Sequence, residues 1–265
     1  TPQQVTFKAP DGNIVYGQLF KPEISGKNKG GIADKKPAVV YVHGGPQRQM
    51  LLGWHYMDYY SIDYALNQYL VSLGFTVLSV NYRLGTGYGY EFHKPAGAGA
   101  QGASEYQDIK AAGLWLASQP GVDPKKIGIY GGSYGGYLVA LALGKDSEVF
   151  AAGVDIHGVN NRFGSVSTDL KFEAPDAVEA ERLAVLSSPV TYLKTWKSPV
   201  LLIHADDDRN VSFSQTVDLA KRFQDKGFLF ESLAIPDDTH HWMRFQNALK
   251  VSEATADFLK RKLMP

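Results

Sequence analysis

The chain has 265 residues, 44% hydrophobic and 20% charged, which suits one large α/β domain or two small ones. Lys+Arg and Asp+Glu both number 27, so there is no basic excess of the kind that binds nucleic acid. With no cysteine there is no disulfide, thiol nucleophile or thiolate metal site, and no apolar run approaches the ~20 residues of a membrane-spanning helix.

In chain order, Val5 to Ala9, an Asp11-Gly12 turn, and Ile14 to Phe20 read as a β-hairpin. A polar loop over 21–37 leads to the apolar strand Pro37 to Val42, which runs into His43-Gly44-Gly45-Pro46. An unbroken apolar run predicts a central strand covered on both faces. The aromatics Trp54, Tyr56, Tyr59, Tyr60 and Tyr64 read as packing or a covered surface. Leu66, Tyr69, Leu70 and Leu73 then give helical spacing up to Gly74.

Phe75 to Asn81 is the next strand, and its glycine-rich exit from Tyr82 to Phe92 is a loop. Ser104-Glu105-Tyr106-Gln107 reads as a capping box, opening a helix with Ile109, Ala112 and Leu116 inward. Asp123-Pro124 is a turn into a short strand, Lys126 to Tyr130, followed by Gly131-Gly132-Ser133-Tyr134-Gly135-Gly136 and an apolar helix.

Ala151 to Ile156 is a strand, and residues 157–188 are irregular and polar, a lid or pocket-lining segment. Pro199 to His204 is a strand ending in Ala205-Asp206-Asp207-Asp208. A second capping box at Ser212 to Gln215 opens a helix with Phe213, Val217 and Ala220 inward. Phe228 to Ile235 is the last strand, before Pro236-Asp237-Asp238-Thr239-His240-His241 and a closing helix marked by Val251, Ala254 and Phe258. Alternating strands and helices imply a mostly parallel sheet of about eight strands with helices on both faces, the first two strands antiparallel. The pattern is that of a single domain over 1–265.

Strand, glycine-flanked serine and helix together are the context of a nucleophile elbow. Side chains at 131 and 135 would collide with the neighbouring strand and helix, and the tight turn pushes the Ser133 hydroxyl outward. Ligands of such sheets bind beyond the carboxyl ends of the strands. There, in order, stand Ser133, the Asp206–Asp208 cluster and the His240-His241 pair. Serine, acid, histidine is the order of a hydrolase triad. The hydroxyl needs an imidazole to take its proton, and the imidazole needs a carboxylate to fix its tautomer. The Tyr134 N–H and the glycines after the 38–42 strand are candidate oxyanion donors.

Other signals point elsewhere. Gly97 to Gly102 spells G-x-G-x-x-G but follows a loop containing Pro95 rather than a strand, so no dinucleotide cofactor is expected. Asp206, Asp208, His240 and His241 lack the spacing of a ligand pair, and no metal is expected. His204 reads as a hydrogen-bonded core histidine; His55, His93 and His157 carry no pattern.

Taken together, His43-Gly44-Gly45-Pro46, Asn81-Tyr82-Arg83 with Gly87-Tyr88-Gly89, Gly131 to Tyr137, Leu201 to His204 with Asp208 and Val211, and Pro236 to His240 resemble the catalytic domain of prolyl-oligopeptidase-family serine peptidases. The likeness is to the dipeptidyl-peptidase and acylaminoacyl-peptidase branches. It implies an α/β-hydrolase fold, with Ser133 as nucleophile, Asp208 as acid, His240 as base, and the Gly45 and Tyr134 N–H groups as the oxyanion hole. Three positions depart from the family pattern: Leu84-Gly85 where Gly-Ser is frequent, Ala205 where glycine is usual, and His43 where some relatives carry a tyrosine whose hydroxyl helps the oxyanion.

The expectation is a serine hydrolase acting on peptide bonds through an acyl-enzyme. A carboxylesterase shares the chemistry, and a silent α/β-hydrolase binding module is the reading from another class. Many relatives carry an upstream β-propeller. The chain begins Thr1-Pro2 with no signal-like segment, and is read as a catalytic domain excised from a longer chain, with a naturally short enzyme as the alternative. An uncovered aromatic cluster would then favour homo-oligomers. The expected partner is a peptide or small acyl substrate, with no nucleic acid and no membrane.

Overall fold

The computed structural model describes residues 1–22, 35–163 and 174–264. One eight-stranded sheet organises it, comprising β1 (Gln3–Lys8), β2 (Ile14–Phe20), β3 (Lys36–Val42), β4 (Thr76–Asn81), β5 (Val122–Gly132), β6 (Ala152–Ile156), β7 (Val200–Ala205) and β8 (Glu231–Ile235). The spatial order is β1-β2-β4-β3-β5-β6-β7-β8. β1 and β2 pair antiparallel, as do β2 and β4, and every later pair is parallel.

Apolar residues sort by the two-residue period of a strand. Ala38, Val40 and Val42 join one core with Ile127, Ile129, Val200 and Leu202. Val39 and Tyr41 point the other way, joining Tyr130, Val154, Leu201 and Ile203. The first core is closed by helices α3 (Tyr106–Ala117), α4 (Tyr134–Lys145) and α6 (Ser214–Asp225). The second is closed by α1 (Asp58–Ser72) and α7 (Phe245–Leu263); the short helix α2 (Tyr90–His93) ends the exit from β4 expected to be all loop. From Gly135 to Gly144 every residue of α4 is buried, as an apolar helix without a polar face must be. Among the described residues no helix is long and apolar enough to cross a membrane.

Several local expectations are corrected. Neither capping box forms: the Ser104 hydroxyl bonds the Ala96 carbonyl at 2.7 Å, and Gln215 Oε1 accepts the N–H groups of Asn160 and Asn161 at 2.9 Å each. Tertiary partners took both side chains. The buried face of α6 is Thr216, Leu219 and Phe223, while Val217 is exposed, so the stripe lies one position before the one expected. Asp123-Pro124 lies inside β5, where the pairing with β3 shifts register between Lys36 and Ala38. The last strand begins at Glu231, since Phe228 and Phe230 turn in to pack on Phe223. The segment expected to be irregular holds a helix, α5 (Ala174–Leu186), and its residues 164–173 lie outside those described. Most of the 21–37 loop does too. The aromatic cluster divides: Trp54 and Tyr56 are exposed, while Tyr60 is buried.

One buried ion pair ties the hairpin to the sheet. Arg83, just past β4, donates to both Asp108 oxygens at 2.6 and 3.0 Å and to both Asp11 oxygens at 2.6 and 3.0 Å. Asp108 is fully buried on α3 and Asp11 sits in the β1–β2 turn. Arg83→Met strands the Asp108 charge, and the expected loss is about 3–5 kcal/mol, read as a lower urea midpoint. A stability within 1 kcal/mol of the parent chain would show that the pair is dispensable.

Candidate active site

Ser133 sits between β5 and α4 at φ 58°, ψ −119°, a conformation that costs a non-glycine residue on the order of 1–3 kcal/mol. Crowding around it explains the glycines. A Cβ at Gly131 or Gly135 would overlap the Val42 carbonyl oxygen, and one at Gly132 would overlap the Tyr59 hydroxyl. At Gly136 it would stand 2.5 Å from Asp155 Oδ1. The elbow is held by Ser133 N–H donating to the Ile156 carbonyl at 2.9 Å and Tyr137 N–H to the Ser133 carbonyl at 3.0 Å.

Asp208 follows β7 and its carboxylate is inaccessible. Its Oδ1 accepts the N–H groups of Asn210 and Val211 at 2.9 Å each. Its Oδ2 accepts His240 Nδ1 at 2.6 Å and stands 3.2 Å from His204 Nε2. Burial pushes this carboxyl up, but the histidine hydrogen bonds and the Val211 N–H outweigh burial and hold it far below the usual range. As expected, His204 is a buried, hydrogen-bonded histidine: Nδ1 lies 2.7 Å from the Thr216 hydroxyl and Nε2 3.0 Å from the Val211 carbonyl.

The other two aspartates do different work. Asp206 Oδ1 accepts the Asp237 N–H at 2.8 Å, joining the loops after β7 and β8, and the Asp207 carboxylate pairs with exposed Arg209. The β8 loop that presents His240 is wound around buried Asp238, which accepts the N–H groups of Thr239 and Met243 and the Asn247 amide. His241 is exposed, its ring edge-on to Tyr59 at 6.1 Å. Trp242 stacks on His157.

Ser133 and His240 line one open depression of about 470 Å³ with Gly45, Arg48, Met57, Tyr59, Tyr60, Asn210 and His241. Gly45 has φ 111°, a left-handed value that glycine adopts without strain. Tyr134 opens α4, so its N–H has no acceptor within the helix. Its hydroxyl donates to buried Glu105 at 2.5 Å, and both Glu105 oxygens lie 3.1 Å from the Gly99 N–H. The G-x-G-x-x-G stretch therefore packs behind the residue after the serine. His43 is buried against Tyr82, with Nδ1 donating to the Gly44 carbonyl at 2.6 Å. Burial lowers its pKa to about 4. Its Nε2 is then bare and cannot replace a donating tyrosine hydroxyl.

His157 is the residue of the site that no sequence pattern singles out. It follows β6, fully buried, with its ring 4.1 Å from that of His240 at an interplanar angle of 28°. The only hint in the sequence was its place one residue beyond a strand end. Ligand-type atoms of His157, Asp208 and His240 lie within 4.8 Å of one another. Lone pairs of nearly parallel rings run side by side instead of converging on one ion, and His240 Nδ1 is already spent on Asp208, so the group does not fit a metal.

Gly135→Ala should lower stability by roughly 2–4 kcal/mol, because the new methyl meets a backbone oxygen that cannot swing aside. Thermal melts compared with Gly53→Ala, where no atom lies within 4 Å of the added Cβ and the backbone is not left-handed, check this. Equal losses in both would remove the packing explanation.

The chain is 29% identical over 272 residues to dipeptidyl aminopeptidase BIII of Pseudoxanthomonas mexicana, covering 98% of this chain and 38% of that protein. It is 28% identical over 267 residues to dipeptidyl-peptidase 5 of Porphyromonas gingivalis, covering 97% of this chain and 37% of the relative. The crystal structure of Pyrococcus horikoshii acylaminoacyl peptidase superposes with a TM-score of 0.80 at 27% identity, over 99% of this chain and 42% of that one. The chain thus spans well under half the length of these relatives, and the fold is that of an α/β-hydrolase. With residues 61–265 matching the family's sequence model, the chain belongs to the prolyl oligopeptidase family.

Proposed function

We propose that the chain is the catalytic part of a serine peptidase, with Ser133 as nucleophile, His240 as base and Asp208 as acid. The observation that carries the reading is the buried 2.6 Å contact between His240 Nδ1 and Asp208 Oδ2, made by a histidine that shares its depression with a strained serine. Asp208 fixes the proton on Nδ1, which leaves Nε2 free to accept. Ser133 Oγ attacks the scissile carbonyl carbon while its proton passes to His240 Nε2. Charge on the carbonyl oxygen is met by the N–H groups of Gly45 and Tyr134. The tetrahedral species collapses as His240 returns the proton to the leaving amine, and an acyl-enzyme remains. Water, deprotonated by the same imidazole, releases the acid and restores Ser133. The protein supplies every group this sequence needs.

The names of the relatives support a substrate class. Dipeptidyl aminopeptidase and acylaminoacyl peptidase are both names for enzymes acting near the amino terminus of a peptide. We assign this chain to peptides cleaved near a free or acylated amino terminus. An activated ester is then a surrogate for the same acyl transfer.

Ser133→Ala should abolish covalent labelling by a fluorophosphonate probe and lower kcat by roughly 10⁴-fold or more with the melting temperature nearly unchanged. Full labelling of that variant would place the nucleophile elsewhere.

Asp208→Asn should cost ~10³–10⁴ in kcat, and Asp207→Asn far less, since the Asp207 carboxylate faces solvent and Arg209. Equal losses at the two positions, measured on one ester and one short peptide, would refute the acid assignment.

A further inference from the structure

His157 has no part in the chemistry above, yet it is built into the centre of the site. Its backbone adopts φ 42°, and its N–H is anchored on the Ile203 carbonyl at 2.7 Å. The turn that carries it is held by buried Asp155, whose Oδ1 accepts the Gly158 N–H and whose Oδ2 accepts the Asn160 amide, each at 2.9 Å. The ring lies between those of His240 and Trp242, at 4.1 and 5.2 Å. Its Nε2 is 2.9 Å from the Tyr59 hydroxyl. Among the described residues its Nδ1 has no hydrogen-bond partner, and it stands 3.9 Å from Asp208 Oδ2.

That last pair decides the tautomer. A bare Nδ1 lone pair facing a carboxylate oxygen in a buried site is repulsive, whereas an N–H there is attracted to it. The proton therefore sits on Nδ1, and Tyr59 must donate to Nε2. We propose that His157 is a positioning residue of the acid–base pair: a neutral imidazole, fixed by Tyr59, whose Nδ1–H faces Asp208 while its ring backs His240. Asp208 Oδ2 then has three imidazole N–H groups around it, from His240, His204 and His157. The third shares the carboxylate charge and so limits how strongly Asp208 favours the protonated form of His240. The inference rests on the proposed roles of Asp208 and His240.

The surroundings of His157 are consistent with its staying neutral. Burial lowers its pKa well below the ordinary value, and the neighbouring histidines 240, 204 and 241 lower it further, against an opposing pull from Asp208. The groups facing it are Tyr59 from α1, His204 and Asp208 from the end of β7 and its loop, and His240 and His241 from the loop after β8. No cation of lysine or arginine makes a hydrogen bond or ion pair with it among the described residues.

The test uses the rate of fluorophosphonate labelling of Ser133 as a function of pH, which needs no knowledge of the natural substrate. Labelling rises as the base becomes neutral. His157→Phe keeps a flat ring but removes the Nδ1–H, so Asp208 favours the protonated base more and the rise moves to higher pH, by roughly 0.5–1 unit. His157→Asn places an amide N–H near the lost Nδ1 and tolerates the positive φ, so it should bring the midpoint back toward the wild-type value. If the phenylalanine variant does not fold, Tyr59→Phe releases the tautomer and should move the rise in the same direction by less. An unmoved midpoint, or one moved to lower pH, overturns the proposal.

A second measurement is independent of activity. Long-range ¹H–¹⁵N correlation of histidine-labelled protein should show His157 protonated on Nδ1 alone and not titrating between pH 5 and 8. A proton on Nε2, or a titrating ring, overturns the proposal whether or not Ser133 proves to be the nucleophile. Labelling that survives Ser133→Ala overturns the functional reading and leaves the tautomer result standing.

Discussion

The site depends on how closely β3 approaches the start of α4. Gly131 and Gly135 leave no room for a methyl group between the elbow and the Val42 carbonyl. That contact fixes the elbow against the central strand and sets Ser133 at φ 58°. Strain in a single residue persists only where the surroundings over-determine it. Here β3 lies on one side, and Ile156 of β6 accepts the Ser133 N–H on the other. Burial of α4 from Gly135 to Gly144 removes the remaining freedom. The serine is held by the packing of the sheet more than by its own turn.

A second constraint is electrostatic. An inaccessible carboxylate must have its lone pairs occupied, and Asp208 has two backbone N–H groups on one oxygen and imidazole nitrogens around the other. These partners come from two loops that would otherwise move separately. Asp206 links them through the Asp237 N–H, and the Asp207 N–H reaches the Asp238 carbonyl at 3.2 Å. Asp238 in turn winds the loop that carries His240. The run of three aspartates thus divides its labour: one bridges the loops, one pairs with an exposed arginine, and one holds His240.

The same geometry ties remote elements to the depression. Gln215 on α6 holds the backbone of residues 160 and 161, near the turn that carries His157. Glu105 fixes the Tyr134 ring from the far side of the glycine stretch at 97–102. Tyr59 reaches from α1 to the underside of the elbow, where its hydroxyl takes the place a Cβ at Gly132 would occupy. Substitutions in these supporting groups are expected to act on the site through small displacements, to which positioned chemistry is sensitive.

Much of this was legible in the sequence because it rests on local rules. Apolar runs such as Ala38 to Val42 mark central strands, and their two-residue period divides the two cores. The glycines around Ser133 mark a turn too tight for side chains. Serine, acid and histidine fall after strands in the order the chemistry uses. What the sequence could not supply depends on partners distant in the chain. Ser104 and Gln215 look like helix caps but bond to Ala96 and to residues 160–161, since a nearby tertiary acceptor or donor outcompetes a local one. His157 carries no motif, yet the fold stacks it on a histidine 83 positions away. The chain's own pattern determined the sheet, the elbow and the order of Ser133, Asp208 and His240 along it. Only the tertiary structure decided how the Asp208 carboxylate is satisfied and that His157 stacks on His240, because contacts across the sheet are set by strand order and not by sequence spacing.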